Sequence, residues 1–390
     1  MIKLFSSSRL MVFGSILILL SSCEFMSYED YEYEPYDGSI SWTKLIKNAE
    51  WGNRYDHAAV SFDGKLWILG GYNPGQTIGD TYYEDVWSSS DGENWDLITD
   101  NAPWHGRRGH EVVVFNDGSG DALFLIGGYM VNEETGYRQY ANDVWKSYDG
   151  KLWTEIKPTE FPPRDSLYQW YPRMEHSCIV KKMEGKNYIY LMAGRSMQDS
   201  IDGRFSTIYH NDVWRTPNGK DWERINNNDF GIRGDQAVTI NPQTGRMFMQ
   251  GGTHGIVFTS QNFSTHPIEH WEYLWYSDDG QNWIATNDTE TWDQSLLWRA
   301  SHHLVYFDNS VWSFPGKTTS TVHYHFTSPN HFPIWRVHDD GTWEADSYGV
   351  AFEPRHGYGC VVHDNKIWIL GGFTSSSGQS NDVWAGEIIN

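Results

Sequence analysis

Short apolar runs separated by glycine-containing turns follow one another along the chain. Residues 66–69 (Leu-Trp-Ile-Leu) and 122–126 (Ala-Leu-Phe-Leu-Ile) are examples. After residue 20 no long segment shows the three-to-four-residue spacing of an amphipathic helix. Apolar runs of four to eight residues bounded by turn residues are typical of buried strands. The pattern therefore predicts an all-β protein.

One pattern recurs six times. Each copy begins with an Arg and has a His, Gln or Tyr three residues later. Two apolar runs follow, then a run that carries a Trp, and in most copies a turn that leads to a further Trp. The copies start 53 to 66 residues apart, at Arg54, Arg107, Arg173, Arg233, Arg299 and Arg355. Four short strands per copy at this period predict the blades of a β-propeller, because a single four-stranded sheet cannot bury both of its faces.

The two ends of the chain share the last blade. The sixth copy stops soon after Trp384 and lacks a fourth strand. Residues 41–45 (Ser-Trp-Thr-Lys-Leu) precede the first copy and have the sequence of such a strand. We expect the strand around Trp42 to complete the last blade and close the ring, which leaves no open sheet edge. The prediction is a six-bladed propeller over residues 39–390.

These motifs resemble the kelch repeat. The resemblance rests on the Arg-x-x-His start, the pair Gly70-Gly71, the Asn-Asp-Val-Trp strand and the final Trp of each copy. It covers essentially all of residues 39–390 and implies a kelch-type propeller of the galactose-oxidase-like superfamily. The fifth copy departs most, since Pro315-Gly316 replaces the glycine pair and Ile334 replaces the Val before Trp.

The first 22 residues have the pattern of a secretory signal peptide. Lys3 and Arg9 accompany an apolar stretch of 11 residues, 10–20, which is too short to span a bilayer. The stretch leads into Leu-Ser-Ser-Cys at 20–23, which resembles the lipobox of bacterial lipoproteins. The resemblance implies cleavage before Cys23 and acylation of that residue, palmitate included, so that lipid rather than a helix holds the protein to the membrane.

Residues 23–38 form the second segment, the lipidated Cys and an acidic tether. The tether holds six acidic residues, four Tyr and no basic residue. Acidic runs directly after a lipidated Cys resemble the surface-export signals of Bacteroidetes lipoproteins. We therefore expect a lipid-anchored outer-membrane protein exposed at the cell surface, with a solvated tether as the alternative interpretation of the acidic run.

The overall charge narrows the possible partners. Lys and Arg total 29 against 51 Asp and Glu, a formal charge of −22. Such a surface repels phosphate backbones, so we expect no nucleic-acid partner. The chain is also rich in Trp and Tyr, with 21 and 23 residues. Aromatic rings beside hydrogen-bonding groups suit the C–H faces of sugars and suit protein partners equally well.

The candidate ligand-binding residues lie in the long loops and inter-blade segments, which this topology places on one face of the propeller. A residue repeated in most blades is usually scaffold, so we expect the repeated Arg and His to hydrogen-bond one blade to its neighbour. One or two of the arginines would face an anionic ligand. Many of the loop aromatics would pack the loops themselves. The candidates are Arg173, Arg195, Arg233, Tyr168, Trp170, His254, Trp298, Tyr324 and Arg355.

No metal or cofactor is predicted. His323 and His325 share one strand face, but no Cys or acidic cluster joins them. Galactose oxidase, a kelch propeller, holds copper with His and Tyr and has a Tyr cross-linked to Cys. Here Cys178 and Cys360 stand five residues after a repeat Arg, where the other copies are apolar, so we expect core fillers. They belong to opposite blades, so we do not expect a disulfide between them.

The function favoured by these features is a non-enzymatic binding module that holds a glycan or an envelope protein on the long-loop face. The first alternative is a carbohydrate-active enzyme, such as a mutarotase, epimerase or lyase, because the sialic-acid mutarotase is also a six-bladed kelch propeller. The second alternative is a structural accessory subunit of an envelope complex. No catalytic residue is assigned. An enzyme would need non-repeated ionisable residues at the channel mouth, and Glu175, Asp235 and Arg195 are the best candidates.

Overall fold

The computed structural model describes residues 39–75, 80–132, 135–163, 166–198, 206–225, 230–253, 257–259, 262–264, 274–286, 299–318, 334–337, 343–347, 351–374 and 376–389. All the regular structure in these ranges is β-strand. Within the same ranges there is no helix of the length and apolarity that crossing a membrane requires. The strands form six sheets of four or five strands and four short two-stranded pairs. The prediction of an all-β fold is confirmed.

Each large sheet is an antiparallel blade built from one copy of the repeat. Blade one has Ala58–Phe62, Lys65–Leu69, Val86–Ser89 and Asp96–Thr99. Blade two has Glu111–Asn116, Asp121–Asn132, Tyr137–Ser147 and Trp153–Lys157, with Arg107–Arg108 at its edge. Blade three has Ser177–Met183, Lys186–Met192, Val213–Thr216 and Glu223–Arg224. Blade four has Ala237–Ile240, Met247–Gln250, Trp275–Ser277 and Ile284–Ala285. Blade five has His303–Phe307, Ser310–Phe314, Ile334–Val337 and Trp343–Ser347. Blade six has Gly359–His363, Lys366–Thr374, Gly378–Ile388 and Ile40–Ile46, with Arg355–His356 at its edge.

The short pairs extend the blades or their connections. They join Tyr72–Asn73 to Thr81–Tyr82, Arg195–Gln198 to Ser206–Tyr209, Val257–Thr259 to Asn262–Ser264, and Arg299–Ala300 to Lys317–Thr318.

The blades form a ring of six. The first strand of every blade contacts the first strand of the next, and that of blade six contacts that of blade one. Six apolar cores lie between neighbouring blades, because each core takes its side chains from two of them. Phe124 and Leu191 meet between blades two and three, and Ile68 and Leu370 meet between blades one and six. Both faces of each sheet are therefore covered, which is what the six-bladed prediction requires.

The outer strand of blade six comes from the start of the propeller. Ile40–Ile46 pairs antiparallel with Gly378–Ile388, and Trp42 lies opposite Gly386. The indole of Trp42 meets the ring of Phe352 edge-to-face at 5.1 Å. In blade one the corresponding pair is Trp95 and Trp51, whose centroids are 5.8 Å apart. Trp42 therefore takes the place in blade six that the fourth-strand Trp takes in the other blades.

Six backbone hydrogen bonds encircle the centre of the ring. They join the residues that stand two positions after each repeat Arg, one per blade. Each amide donates to the carbonyl of the preceding blade. The six bonds run from Asp56 to Gly357, Gly109 to Asp56, Glu175 to Gly109, Asp235 to Glu175, Ser301 to Asp235, and Gly357 to Ser301, at 2.7 to 3.4 Å. We call these residues the inner ring. Their side chains are carried to one end of the central channel.

Candidate functional site

The repeat arginines are part of the scaffold. The guanidinium of Arg107 makes two hydrogen bonds to Asp143, at 2.8 and 2.9 Å, and one to the carbonyl of Gly127. The indole of Trp145 donates to the same carboxylate at 2.8 Å. This explains the Asp-Val-Trp motif, because one buried carboxylate accepts from both the Arg and the Trp of its blade. Equivalent pairs occur in blades one, three and six.

The ligand-binding role predicted for three of these arginines is therefore wrong. Arg173, Arg233 and Arg355 are at most 2% exposed, and their guanidinium groups donate to carbonyl or carboxylate groups. The guanidinium hydrogen bonds of Arg173 and Arg355 stay within their own blades, contrary to the expected bonds between blades. Bonds between blades come instead from side chains three positions after the repeat Arg, such as Gln236 to the carbonyl of Met192 and Tyr358 to the carbonyl of Pro315, and from the backbone. The amide of Gly194 in blade three, for example, donates to the carbonyl of Arg233 at 2.9 Å.

The ligand-binding role predicted for Trp170 is also wrong, because Trp170 is a core residue. It has no exposed surface and meets the ring of Trp222 edge-to-face at 5.7 Å. An aromatic residue three positions before the repeat Arg has this role in five blades, including Trp51 and Phe352. That spacing is visible in the sequence and could have identified Trp170 as core. Tyr168, two residues earlier, is 79% exposed and remains available to a partner. His254, Trp298, Tyr324 and Cys23 lie outside the described residues.

Arg195 does reach the channel entrance. Its guanidinium pairs with the carboxylate of Glu175, with an Nη2–Oε1 distance of 2.6 Å. A second nitrogen lies 3.4 Å from the hydroxyl of Tyr140. The side chain keeps 23% of its surface exposed. The structure thus places Arg195, Glu175 and Asp235, the three non-repeated ionisable candidates, at the same opening.

Two further ion pairs stand beside this one. Arg108 of blade two lies 3.6 Å from the carboxylate of Asp56, and Lys317 of blade five donates to Asp235 at 2.7 Å. Each pair joins one carboxylate of the inner ring to one cation. Sequence reasoning missed Asp56, Arg108 and Lys317. For Asp56 the signal was its position two residues after the repeat Arg, where three of the six copies have an acidic residue; Arg108 and Lys317 stand at other positions of the repeat.

The backbone at these acidic positions is strained. Asp56, Glu175 and Asp235 have φ angles of 54°, 55° and 61°, in the left-handed region. This region costs a residue with a Cβ about 1 kcal/mol or more. Blades two and six have glycine at the same position, Gly109 and Gly357, which adopts it without strain. Strain retained where glycine would fit is typical of residues kept for their side chains.

The carboxyl groups at the opening have pKa values shifted in different directions. Burial raises the pKa of Asp56 to about 7, against the opposing effect of Arg108 and with a reinforcing effect of Asp235 and Glu175. Burial also acts to raise the pKa of Asp235. There the ammonium of Lys317 and the guanidinium of Arg195 prevail and hold the pKa below its usual range. At neutral pH the opening therefore holds a carboxyl that exchanges its proton beside one that stays ionised.

An arc of aromatic rings borders one side of the opening. Tyr55, Tyr72, Tyr82, Tyr129 and Tyr140 follow one another with centroids 4.6 to 6.0 Å apart. The guanidinium of Arg108 lies over the ring of Tyr72 at 4.6 Å. We call the three ion pairs and this arc the channel mouth. It combines charged groups, phenol hydroxyls and ring faces. Such groups can hydrogen-bond and stack against a polar ligand with hydroxyl groups.

No metal site is evident in the described part of the chain, where no group of three or more His, Cys, Asp or Glu side chains could hold an ion. His323 and His325 lie outside it. Cys178 and Cys360 are free thiols, and burial raises the pKa of both.

Comparison with known proteins supports the fold. The family model of the Kelch motif matches residues 354–385, which include Arg355, the glycine pair and Trp384 of blade six. The chain is similar to a solved structure described as "Structure of YjhT", with a TM-score of 0.59 and 14% identity. The match covers 87% of this chain and 95% of that one. At this identity the likeness shows the fold alone. No curated protein matches the chain.

Proposed function

We propose that the protein is a binding module that takes a glycan end in the channel mouth and is held at the outer membrane by lipid on Cys23. The observation that carries this is the convergence of three carboxylate–cation pairs and an aromatic arc on one opening. None of these pairs is repeated around the ring, so the scaffold does not require them. A kelch propeller supports binding and interaction functions in general, and the mouth gives this one its specificity.

The chemistry of the mouth matches a sugar with polar substituents. Hydroxyl groups of a ligand both donate and accept hydrogen bonds, so they can bridge a carboxylate and a cation without displacing either. The exposed part of Arg195 can pair with an anionic substituent. The rings of Tyr55 and Tyr140, at the two ends of the arc, offer faces against which a sugar C–H surface packs.

A glycan array probed with the purified protein tests the proposal. We expect a specific hit that Arg195→Ala and Glu175→Gln both abolish. Arg215→Ala is the matched control, because Arg215 also pairs with a glutamate of blade three, Glu223, but on the outer surface. A hit that survives both mouth substitutions would place the glycan elsewhere. A blank array would favour a protein partner, which pull-down from native outer membranes with the same variants would test.

The membrane anchor needs its own experiment. Metabolic labelling with palmitate should label the wild-type chain in the outer-membrane fraction. Cys23→Ser should abolish the label and release the protein. Labelling of the Cys23→Ser variant would contradict the proposed anchor and leave the binding proposal unaffected.

The second candidate function is a carbohydrate-active enzyme, and one observation favours it. The pKa of Asp56 is raised to about 7, which suits a group that gives and takes protons at neutral pH, as sugar mutarotation requires. Any sugar that binds should therefore be tested for anomer exchange by NMR. Enzyme activity predicts exchange that Asp56→Asn removes while binding persists. Exchange at the uncatalysed rate with bound sugar would leave the binding module as the function.

A further inference from the structure

Beyond the mouth, the central channel opens into an internal cavity of about 210 Å³. The first strands of the six blades form its wall. The residue four positions after each repeat Arg lines it in every blade: Ala58, Glu111, Ser177, Ala237, His303 and Gly359. Five of these side chains are small or neutral. Among these six equivalent positions, Glu111 of blade two is the acidic residue.

Glu111 has no counter-charge. Among the described residues its carboxylate takes part in no hydrogen bond and no ion pair, in contrast to Asp56, Glu175 and Asp235 at the mouth. One side of it is open to the cavity, and protein surrounds the rest. Burial alone raises its pKa to about 8. An ionised carboxylate in such a place is costly unless a cation joins it.

The other titratable groups of the wall cannot supply that cation. Burial lowers the pKa of His57 to about 3 and of His303 to about 4, and it also lowers the pKa values of His110 and His302 well below their usual range. All four are neutral at physiological pH. Nε2 of His303 donates to the carbonyl of Tyr358 at 2.7 Å, which leaves Nδ1 as an acceptor. The remaining groups are the thiols of Cys178 and Cys360 and the phenol of Tyr358, whose pKa values burial raises.

We propose that this cavity, which adjoins the mouth and shares Glu111 with its lining, is a second binding site that takes one protonated primary amine against the carboxylate of Glu111. A metal ion fits the wall less well, because the described residues offer no group of three ligands. A volume of about 210 Å³ exceeds the roughly 150 Å³ that accommodates benzene, so the cavity admits an amine of at least that size. The neutral histidines and Ser177 provide acceptors for the remaining N–H groups. The proposal does not depend on the glycan proposed for the mouth.

Isothermal titration of the full-length protein in detergent with methylammonium chloride tests the site. At neutral pH the bound amine must displace the proton of Glu111, so binding should release protons to the buffer. With a pKa of about 8, the ionised fraction of Glu111 rises about tenfold from pH 7 to pH 9. Methylamine stays protonated over this range, so the affinity should rise about tenfold as well.

Substitutions and a larger cation complete the test. Glu111→Gln should abolish methylammonium binding, and Glu155→Gln should not, because Glu155 is exposed on the outer strand of the same blade. If Glu111→Gln does not fold, the wild type still tests the site. Methylammonium can donate N–H groups to the carboxylate of Glu111 and should raise the melting temperature, whereas tetramethylammonium has no N–H group and should not. Equal effects of the two cations, no heat at pH 9, or unchanged binding by a folded Glu111→Gln variant would each overturn the proposal.

Discussion

The amide of Asp56 in the first blade donates a 2.7 Å hydrogen bond to the carbonyl of Gly357 in the last. This bond completes a circle, because every other inner-ring amide donates in the same sense to the blade before it. Each blade therefore gives one bond and receives one. The strand Ile40–Ile46 fastens the same two ends of the chain at the outer rim. The first and last blades are thus joined at both the inner and the outer edge of the ring.

Replacement of Trp42 tests the outer fastening. Its indole packs edge-to-face on Phe352 and Phe314. Trp42→Ala should lower the free energy of unfolding by about 3 kcal/mol, near the lower end of the range for large aromatic truncations, because the side chain is only partly buried. Chemical denaturation measures the effect. Tyr137→Ala is the control, since Tyr137 is 59% exposed and should cost little. Equal stability of the two variants would contradict the closure at this strand.

The buried Arg–Asp ion pairs of the repeat should contribute far more to the free energy of unfolding than the surface ion pairs. Arg107→Ala leaves the carboxylate of Asp143 buried without its cation, which typically costs about 3–5 kcal/mol. Arg215→Ala removes an ion pair with the exposed Glu223, which is worth at most about 1 kcal/mol. Denaturation curves of the two variants compare them directly. A small effect of Arg107→Ala would mean that the Arg and Asp of the repeat are not stability elements.

The fold was predictable because the blade motif occurs six times in the sequence. Most blades repeat the same local chemistry, so one misjudged residue does not change the period or the count. Trp42 could be assigned from sequence for the same reason, since the last copy lacked the strand it belongs to. The misassigned Trp170 shows the limit of this approach. Its core position follows from a second regularity of the repeat. The residue three positions before the repeat Arg is aromatic in five copies and packs in the core.

The channel mouth was less predictable because its partners come from separate parts of the chain. Asp56 meets Arg108 one blade later, and Asp235 meets Lys317 from the next blade. No local motif links these residues. Only the ring geometry brings them together, by carrying the second residue after each repeat Arg to the channel. Arg195 and Glu175 belong to one blade, and the sequence identified both of them, with Asp235, as candidates without pairing them.

The buried histidines should make the fold sensitive to acid. The pKa of His57 and of His176 is lowered to about 3 by burial and by the adjacent repeat arginine, against about 6.5 in the unfolded chain. The unfolded state therefore binds more protons below pH 6.5. Stability is lost as the pH falls from about 6.5 to 3, by up to about 1.4 kcal/mol per pH unit for each histidine.

Replacement by glutamine removes this contribution. Blade four already has Gln236 at the equivalent position, where its amide donates to the carbonyl of Met192. His57→Gln should therefore be tolerated and should reduce the slope of unfolding free energy against pH between about 3 and 6.5. His105→Gln, at an exposed position, serves as the control. An unchanged slope in His57→Gln would show that the pKa of His57 is the same in the folded and the unfolded protein.

Thiol counting tests the core cysteines and the lipid anchor together. Cys178 is buried and Cys360 is partly buried, and burial raises both pKa values, so a thiol reagent should react with neither in the native protein at pH 8. After unfolding in guanidinium both should react. A lipidated Cys23 has no free thiol, so the purified membrane form should titrate two thiols, whereas the same chain made without export should titrate three. Three thiols in the membrane form would contradict acylation of Cys23, and rapid reaction before unfolding would contradict the core positions of Cys178 and Cys360.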